Sequence, residues 1–272
     1  MSDWPQPLEI LAAIARALRF YSRLPVPTTP GEQDATAELD FVAMAPAVPL
    51  AGAIIGAVSA LVLAVAHSLG LDGITGATLA VTCSIVVTGA LHEDGLADTA
   101  DGFFARATVT RRLEIMRDSR IGSFGALALI LATLIRVALI AQLSAFGTGA
   151  ACAALMAAAA MSRAAGLMPL MLMLPARHDG AGAEAGQLPV AVFTHTLMIG
   201  GGVALLLCLI GHLGIVRGVA ACLAALAASR GICALAQQKI GGQTGDVAGA
   251  AQIVGEIAFY LVLAMKLGVA AA

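Results

Sequence analysis

Pro46-Ala47-Val48-Pro49-Leu50-Ala51-Gly52-Ala53-Ile54-Ile55-Gly56-Ala57-Val58-Ser59-Ala60-Leu61-Val62-Leu63-Ala64-Val65-Ala66 runs for 21 residues without a charge. About 20 apolar residues in a row is what an α-helix needs to cross a bilayer core. Six further stretches pass the same test: Ile74 to Leu91, Phe124 to Leu143, Ala150 to Leu174, Thr194 to Leu213, Gly218 to Ala236 and Val247 to Leu267. The whole chain agrees with them, since 60% of its residues are hydrophobic, 12% are charged and its mean hydropathy is +0.92. That lies well outside what a water-soluble globular domain of this length shows. The expected fold is all-α: a polytopic integral membrane bundle of about seven transmembrane helices, forming a single membrane-embedded domain over residues 1–272.

Outside these spans, Leu8 to Arg23 places Leu8, Leu11, Ile14, Ala15 and Leu18 on one helical face and Arg16, Arg19 and Arg23 on another. Three arginines would each cost about 2.5 to 3.5 kcal/mol near the bilayer centre, so this reads as an interfacial amphipathic helix. The segment before it lacks the basic and apolar regions of a cleaved signal peptide. Thr28 to Asp40 reads as a polar linker, and Pro175 to Pro189 as a Gly/Ala-rich loop. The five cysteines sit in apolar runs without metal-ligand spacing and read as small core residues. Most Lys and Arg fall on one side of this topology, which the positive-inside rule makes cytoplasmic together with the N-terminus. A net charge of −2 points to no nucleic-acid partner.

Charge is scarce except in His92-Glu93-Asp94-Gly95-Leu96-Ala97-Asp98-Thr99-Ala100-Asp101-Gly102, with four carboxylates in nine positions. On a helix, Asp94, Asp98 and Asp101 share one stripe at i, i+4 and i+7. Such a stripe repels itself unless a cation sits within it, and all-oxygen ligation suits Mg²⁺, with Mn²⁺ as a substitute. Arg106, Arg111, Arg112, Arg117 and Arg120 follow, offering planar donors to phosphate oxygens or simply obeying the positive-inside rule. Gly241 to Asp246 forms a glycine-rich turn before the last span, either an anion cradle to which Asp246 adds a carboxylate or an ordinary helix cap. Glu256 lies inside that span, where a carboxylate faces a cavity or pairs with Arg136, Arg163 or Arg230. His92 abuts the acidic motif as a base or an orienting group, whereas His67, His195 and His212 lie near span ends.

Four segments together resemble the cobalamin synthases, membrane enzymes that join adenosylcobinamide-GDP to α-ribazole or its 5′-phosphate. They are Phe20 to Pro27, Glu93 to Gly102, Leu113 to Gly125 with its Met-Arg-Asp-Ser-Arg-Ile-Gly core, and Gly241 to Ala250. The first reads Phe-Tyr-Ser-Arg where Phe-Leu-Thr-Arg would be closer to the family. The resemblance implies a Mg²⁺-dependent transfer that expels GMP at the bacterial inner membrane. It assigns metal ligation to Glu93, Asp94, Asp98, Asp101 and Asp246, with the aspartates also catalytic. Substrate binding falls to Arg106, Arg111, Arg112, Arg117, Asp118, Ser119 and Arg120, and to Gly242, Thr244 and Gly245. Partners are then the two small-molecule substrates and membrane lipid, with a homo-oligomer left open.

Two other readings compete. A CDP-alcohol phosphotransferase also places Asp-Gly elements at a membrane surface, but here Asp94-Gly95 is followed by Leu96-Ala97-Asp98, a partial match. A cation-coupled transporter would use Glu256, Arg163 and Asp246 as a path near the midplane.

Overall fold

In the computed structural model, residues 7–29 and 40–265 are described. The chain enters as α1 (Pro7–Tyr21), then α2 (Phe41–Met44), capped by the Asp40 carboxylate on the Ala43 N–H, and a 3₁₀ turn at Ala45–Ala47. It continues through α3 (Val48–Ser68), α4 (Gly73–Thr88), α5 (Leu91–Phe104), α6 (Val109–Ile115), α7 (Ser123–Ser144) and α8 (Thr148–Gly166). The short α9 (Met168–Leu172) and α10 (Ala181–Ala185) precede α11 (Val190–Ile210), α12 (Ile215–Ile240) and α13 (Gly245–Ala264). Every described element is helical, and six spans are long and apolar enough to cross a membrane, so the chain is a multi-pass helical membrane protein. Most of the expected linker (residues 30–39) and the end of the last expected span (266 and 267) lie outside the described residues.

The alanine-rich α8 forms the centre of the bundle, because side chains this small let neighbouring backbones close in on it. Its tightest neighbour is α3, where Gly52 and Gly56 lie on Ala159; a Cβ at Gly56 would come within 2.9 Å of the Ala159 side chain. This small-residue pair therefore serves a contact inside the chain. In α1, Ala15 and Leu18 turn inward with Ala17 and Tyr21, while Leu8 and Leu11 stay exposed. Connections at one end of the bundle are short, such as Ala145–Gly147 between α7 and α8. The long connections, 105–122 and 173–189, gather at the other end.

The second expected span is not continuous. Its helix stops at Thr88, Gly89 and Ala90 both take left-handed conformations (φ 63° and 59°), and α5 leaves at 89° to α4. The break is held by the segment after α1: the Arg23 N–H donates to the Val87 carbonyl (2.6 Å), and the Arg23 side chain lies against Gly89 where a Cβ would stand. Val86 to Leu91 carries no charge and only one polar side chain, Thr88, so hydropathy reads straight across the bend. As a result the acidic motif is not a loop beyond a span. It is a helix packed along α7, reaching from Gly122 at the head of α7 to Arg136 well inside it.

Candidate active site

The acidic helix is fixed at three points. At its C-terminal end both Asp101 oxygens accept backbone N–H groups, from Gly122 (2.7 Å) and Gly125 (2.8 Å), which caps α7. Side chains at either glycine would collide with that carboxylate, which accounts for the Ile-Gly-Ser-Phe-Gly sequence. In its middle, Gly95 lets α5 touch α13: a Cβ there would lie 2.9 Å from the Asp246 carbonyl oxygen. Near its start, Glu93 accepts from Arg136 (2.7 Å), both buried, and Arg136 also faces Glu256 at 3.6 Å. The Glu256 carboxylate accepts from Tyr260 (3.0 Å) and Gln252 (3.3 Å), and Gln252 reaches Ser162 (2.9 Å). Of the three candidate arginines, Arg136 is therefore the closest partner of Glu256; Arg230 is exposed.

Asp94 and Asp98 are left facing the head of α13. The charges of Asp94, Asp246 and Asp101 all bear on Asp98, and Arg177 is the cation opposing them. Asp246 lies 3.4 Å from Arg177 and accepts from the Thr244 hydroxyl (3.2 Å). Arg177 is brought there by backbone pairing: the Gln243 N–H donates to Leu174 (2.9 Å) and the Ala176 N–H to Gln243 (2.8 Å). The buried Gln243 amide also donates to the Gly182 carbonyl (2.8 Å), pinning the 173–189 loop over the turn.

Asp94 and Asp246 also line a cavity of about 140 Å³ between α1, α5, α8, α10 and α13. Tyr21 and His92 stack within it, ring centroids 5.6 Å apart and planes 2° from parallel. Burial pushes the Tyr21 phenol up to about 12, so it stays protonated.

The Cobalamin-5-phosphate synthase family matches residues 13–264, from α1 to the last residue of α13. The chain belongs to this family. Among its relatives, the adenosylcobinamide-GDP ribazoletransferase of Azorhizobium caulinodans is 50% identical over 93% of this chain and 95% of its own. That of Xanthobacter autotrophicus is 45% identical over 91% and 94%, and that of Brucella ovis 40% identical over 93% and 96%. No solved structure matches. For a member of the cobalamin-5-phosphate synthase family, neither the phospholipid-synthesis reading nor the transporter reading retains support.

Within this family fold, several expected site residues have other partners. Glu93, expected among the metal ligands, is withdrawn onto Arg136, and Asp101 spends both oxygens on the α7 cap. Arg112 donates to the Gly102, Phe103 and Ala107 carbonyls, closing the C-terminus of α5. Arg111 pairs with Glu114 (2.8 Å), Arg117 with Asp179 and Arg120 with Asp118 (2.6 Å), all at exposed positions. Hydrogen bonds from Arg120 hold the Asp118 carboxyl down at about 2. Arg106 and Ser119 are exposed beside them. In the glycine-rich turn, Thr244 caps α13 through the Val247 N–H (3.3 Å), Gly242 is pressed on the Leu174 carbonyl and Gly245 faces Ala181. The turn is a docking surface for the 173–189 loop.

Sequence reasoning missed Arg177 as a site residue and Arg163 as a lining residue of the cavity. For Arg163 the available signal was its cost inside an apolar span. For Arg177 there was none, since its partner is 69 residues away.

Proposed function

We propose that the chain transfers the cobinamide-bearing phosphoryl group of adenosylcobinamide-GDP to the ribose 3′-hydroxyl of α-ribazole or its 5′-phosphate. The new bond joins that oxygen to the phosphorus carrying cobinamide; the bond to the bridging oxygen breaks and GMP leaves. The observation that carries this reading is that the charges of Asp94 and Asp246 bear on Asp98 with Arg177 opposing them, in a family member whose named relatives are ribazoletransferases.

The donor set fits Mg²⁺. It is all carboxylate oxygen and crowded by like charge, while among the described residues no group of three or more Asp, Glu, His or Cys side chains is gathered closely enough to hold an ion by itself. Mg²⁺ usually takes one or two carboxylates and completes its shell with water and substrate phosphate. Asp94, Asp98 and Asp246 would hold it, with Mn²⁺ as a substitute. When bound it neutralises charge that gathers on the leaving phosphate. Arg177 would hold a substrate phosphate through Nη1, a buried donor with no protein partner among the described residues. A carboxylate of the trio free of metal would take the hydroxyl proton. Asp101 keeps α5 in register with α7.

The end carrying this site would face the cytoplasm of a bacterial inner membrane, because Arg106 to Arg120, Arg177 and Lys239 lie there and Arg217 at the other end. The test is GMP release from adenosylcobinamide-GDP and α-ribazole by the detergent-solubilised chain, with Mg²⁺ and with chelator. Release only with both substrates and Mg²⁺ is expected; none from folded protein overturns the reading.

A further inference from the structure

The cavity beside Asp94 and Asp246 is built unlike the rest of the molecule. Only 4% of the chain is aromatic, yet Phe20, Tyr21 and Phe41 share one wall of it. Phe20 stands edge-on to both Tyr21 (4.8 Å) and Phe41 (5.1 Å), and Tyr21 stacks on His92. Leu167 and Leu170 add an aliphatic wall.

Two polar groups among these walls are incompletely satisfied. Arg163 is 4% exposed and donates to the Ala159 carbonyl (3.1 Å), but its Nε–H has no partner among the described residues. Gln252, 3% exposed, uses its amide nitrogen on Ser162 and Glu256, leaving its oxygen without a donor. Buried donors and acceptors are costly to leave unpaired, and an apolar cavity with a few convergent polar groups is the usual form of a small-molecule site.

We propose that this cavity is the acceptor subsite and holds the benzimidazole base of α-ribazole, an assignment that rests on the transferase reading above. A benzimidazole nucleoside is flat and largely apolar, with a single free ring nitrogen that accepts a hydrogen bond. Arg163 supplies the matching donor. Guanine, with donors and acceptors around its edge, would leave most of them unpaired against Phe20, Phe41 and the leucines. The corrin macrocycle is far too large for about 140 Å³. A base seated here sends its ribose past Asp94 and Asp246, where the 3′-hydroxyl is needed.

The experiment varies each substrate separately in wild type, Leu170→Phe, Ala185→Leu and Arg163→Lys. Leu170 and Ala185 both line the cavity, and Ala185 lies on α10 outside the spans, so filling from that side spares the bundle. Each filling variant is expected to raise KM for α-ribazole about tenfold or more, with KM for adenosylcobinamide-GDP changed less than about twofold. Arg163→Lys is expected to erase the preference for α-ribazole over an indole riboside lacking the acceptor nitrogen, a readout that loosened packing would not move. A rise in KM for adenosylcobinamide-GDP instead, or no change in either, overturns the assignment and makes the cavity a donor or lipid pocket. If wild type releases no GMP, the transferase reading is what fails, and equilibrium dialysis of α-ribazole still decides the cavity. Binding weakened about tenfold by Ala185→Leu supports it; unchanged or absent binding overturns it.

Discussion

Glu93 and Asp94 are consecutive residues of α5 with opposite surroundings. Glu93 is buried on Arg136, which Glu256 shares, inside a network that extends through Tyr260 and Gln252 to Ser162. Asp94 lines the cavity near Asp246 and Asp98, where Arg177 is the opposing cation. Away from water, an unpaired charge is far costlier than a paired one, and the buried Arg163, within reach of the Glu256 and Glu93 charges, supplies the second cation that balances the two carboxylates from within the protein. At the head of α13 negative charge is left in excess. The first arrangement holds helices together; the second is available to bind a cation and phosphate.

The comparison breaks most severely at Arg136. Arg136→Met strands the Glu93 and Glu256 carboxylates and should cost about 3–5 kcal/mol, read as loss of folded protein from membranes. Glu93→Gln with Glu256→Gln in the same chain should restore accumulation. Next comes Asp98→Asn, expected to lower kcat about 10³-fold with an unchanged melting temperature, which separates the binding arrangement from the structural one. Gly125→Ala sharpens the role of Asp101: the added methyl displaces its carboxylate from the α7 cap, and a loss of about 1–3 kcal/mol in thermal unfolding is expected. The smallest effect belongs to Arg117→Ala. Its pair with Asp179 is exposed, so stability should change by less than about 1 kcal/mol, with a KM shift of at most a few fold.

Much of this was legible in the sequence because local spacing carries it. The spans follow from runs such as Pro46 to Ala66, and the acidic stripe from aspartates at helical spacing. What stayed hidden depends on distant partners. Nothing near Glu93 announces Arg136, 43 residues on, and nothing in the turn at Gly89 announces that Arg23 will hold it. The partners of the arginines after α5 were illegible for a related reason: a guanidinium suits phosphate, a carboxylate or a helix C-terminus equally well. Arg112 takes the last of these, and Arg111, Arg117 and Arg120 take carboxylates. Gly242 and Gly245 likewise permit close approach without saying of what; here it is the 173–189 loop.

The central claim is that Asp94, Asp98 and Asp246 bind a divalent cation while the adjacent Glu93 does not. Electron paramagnetic resonance of Mn²⁺ titrated into the solubilised chain with adenosylcobinamide-GDP tests it directly. The account predicts bound Mn²⁺ in wild type and in Glu93→Gln, and its loss in Asp98→Asn. Binding that survives Asp98→Asn but disappears in folded Glu93→Gln would contradict it.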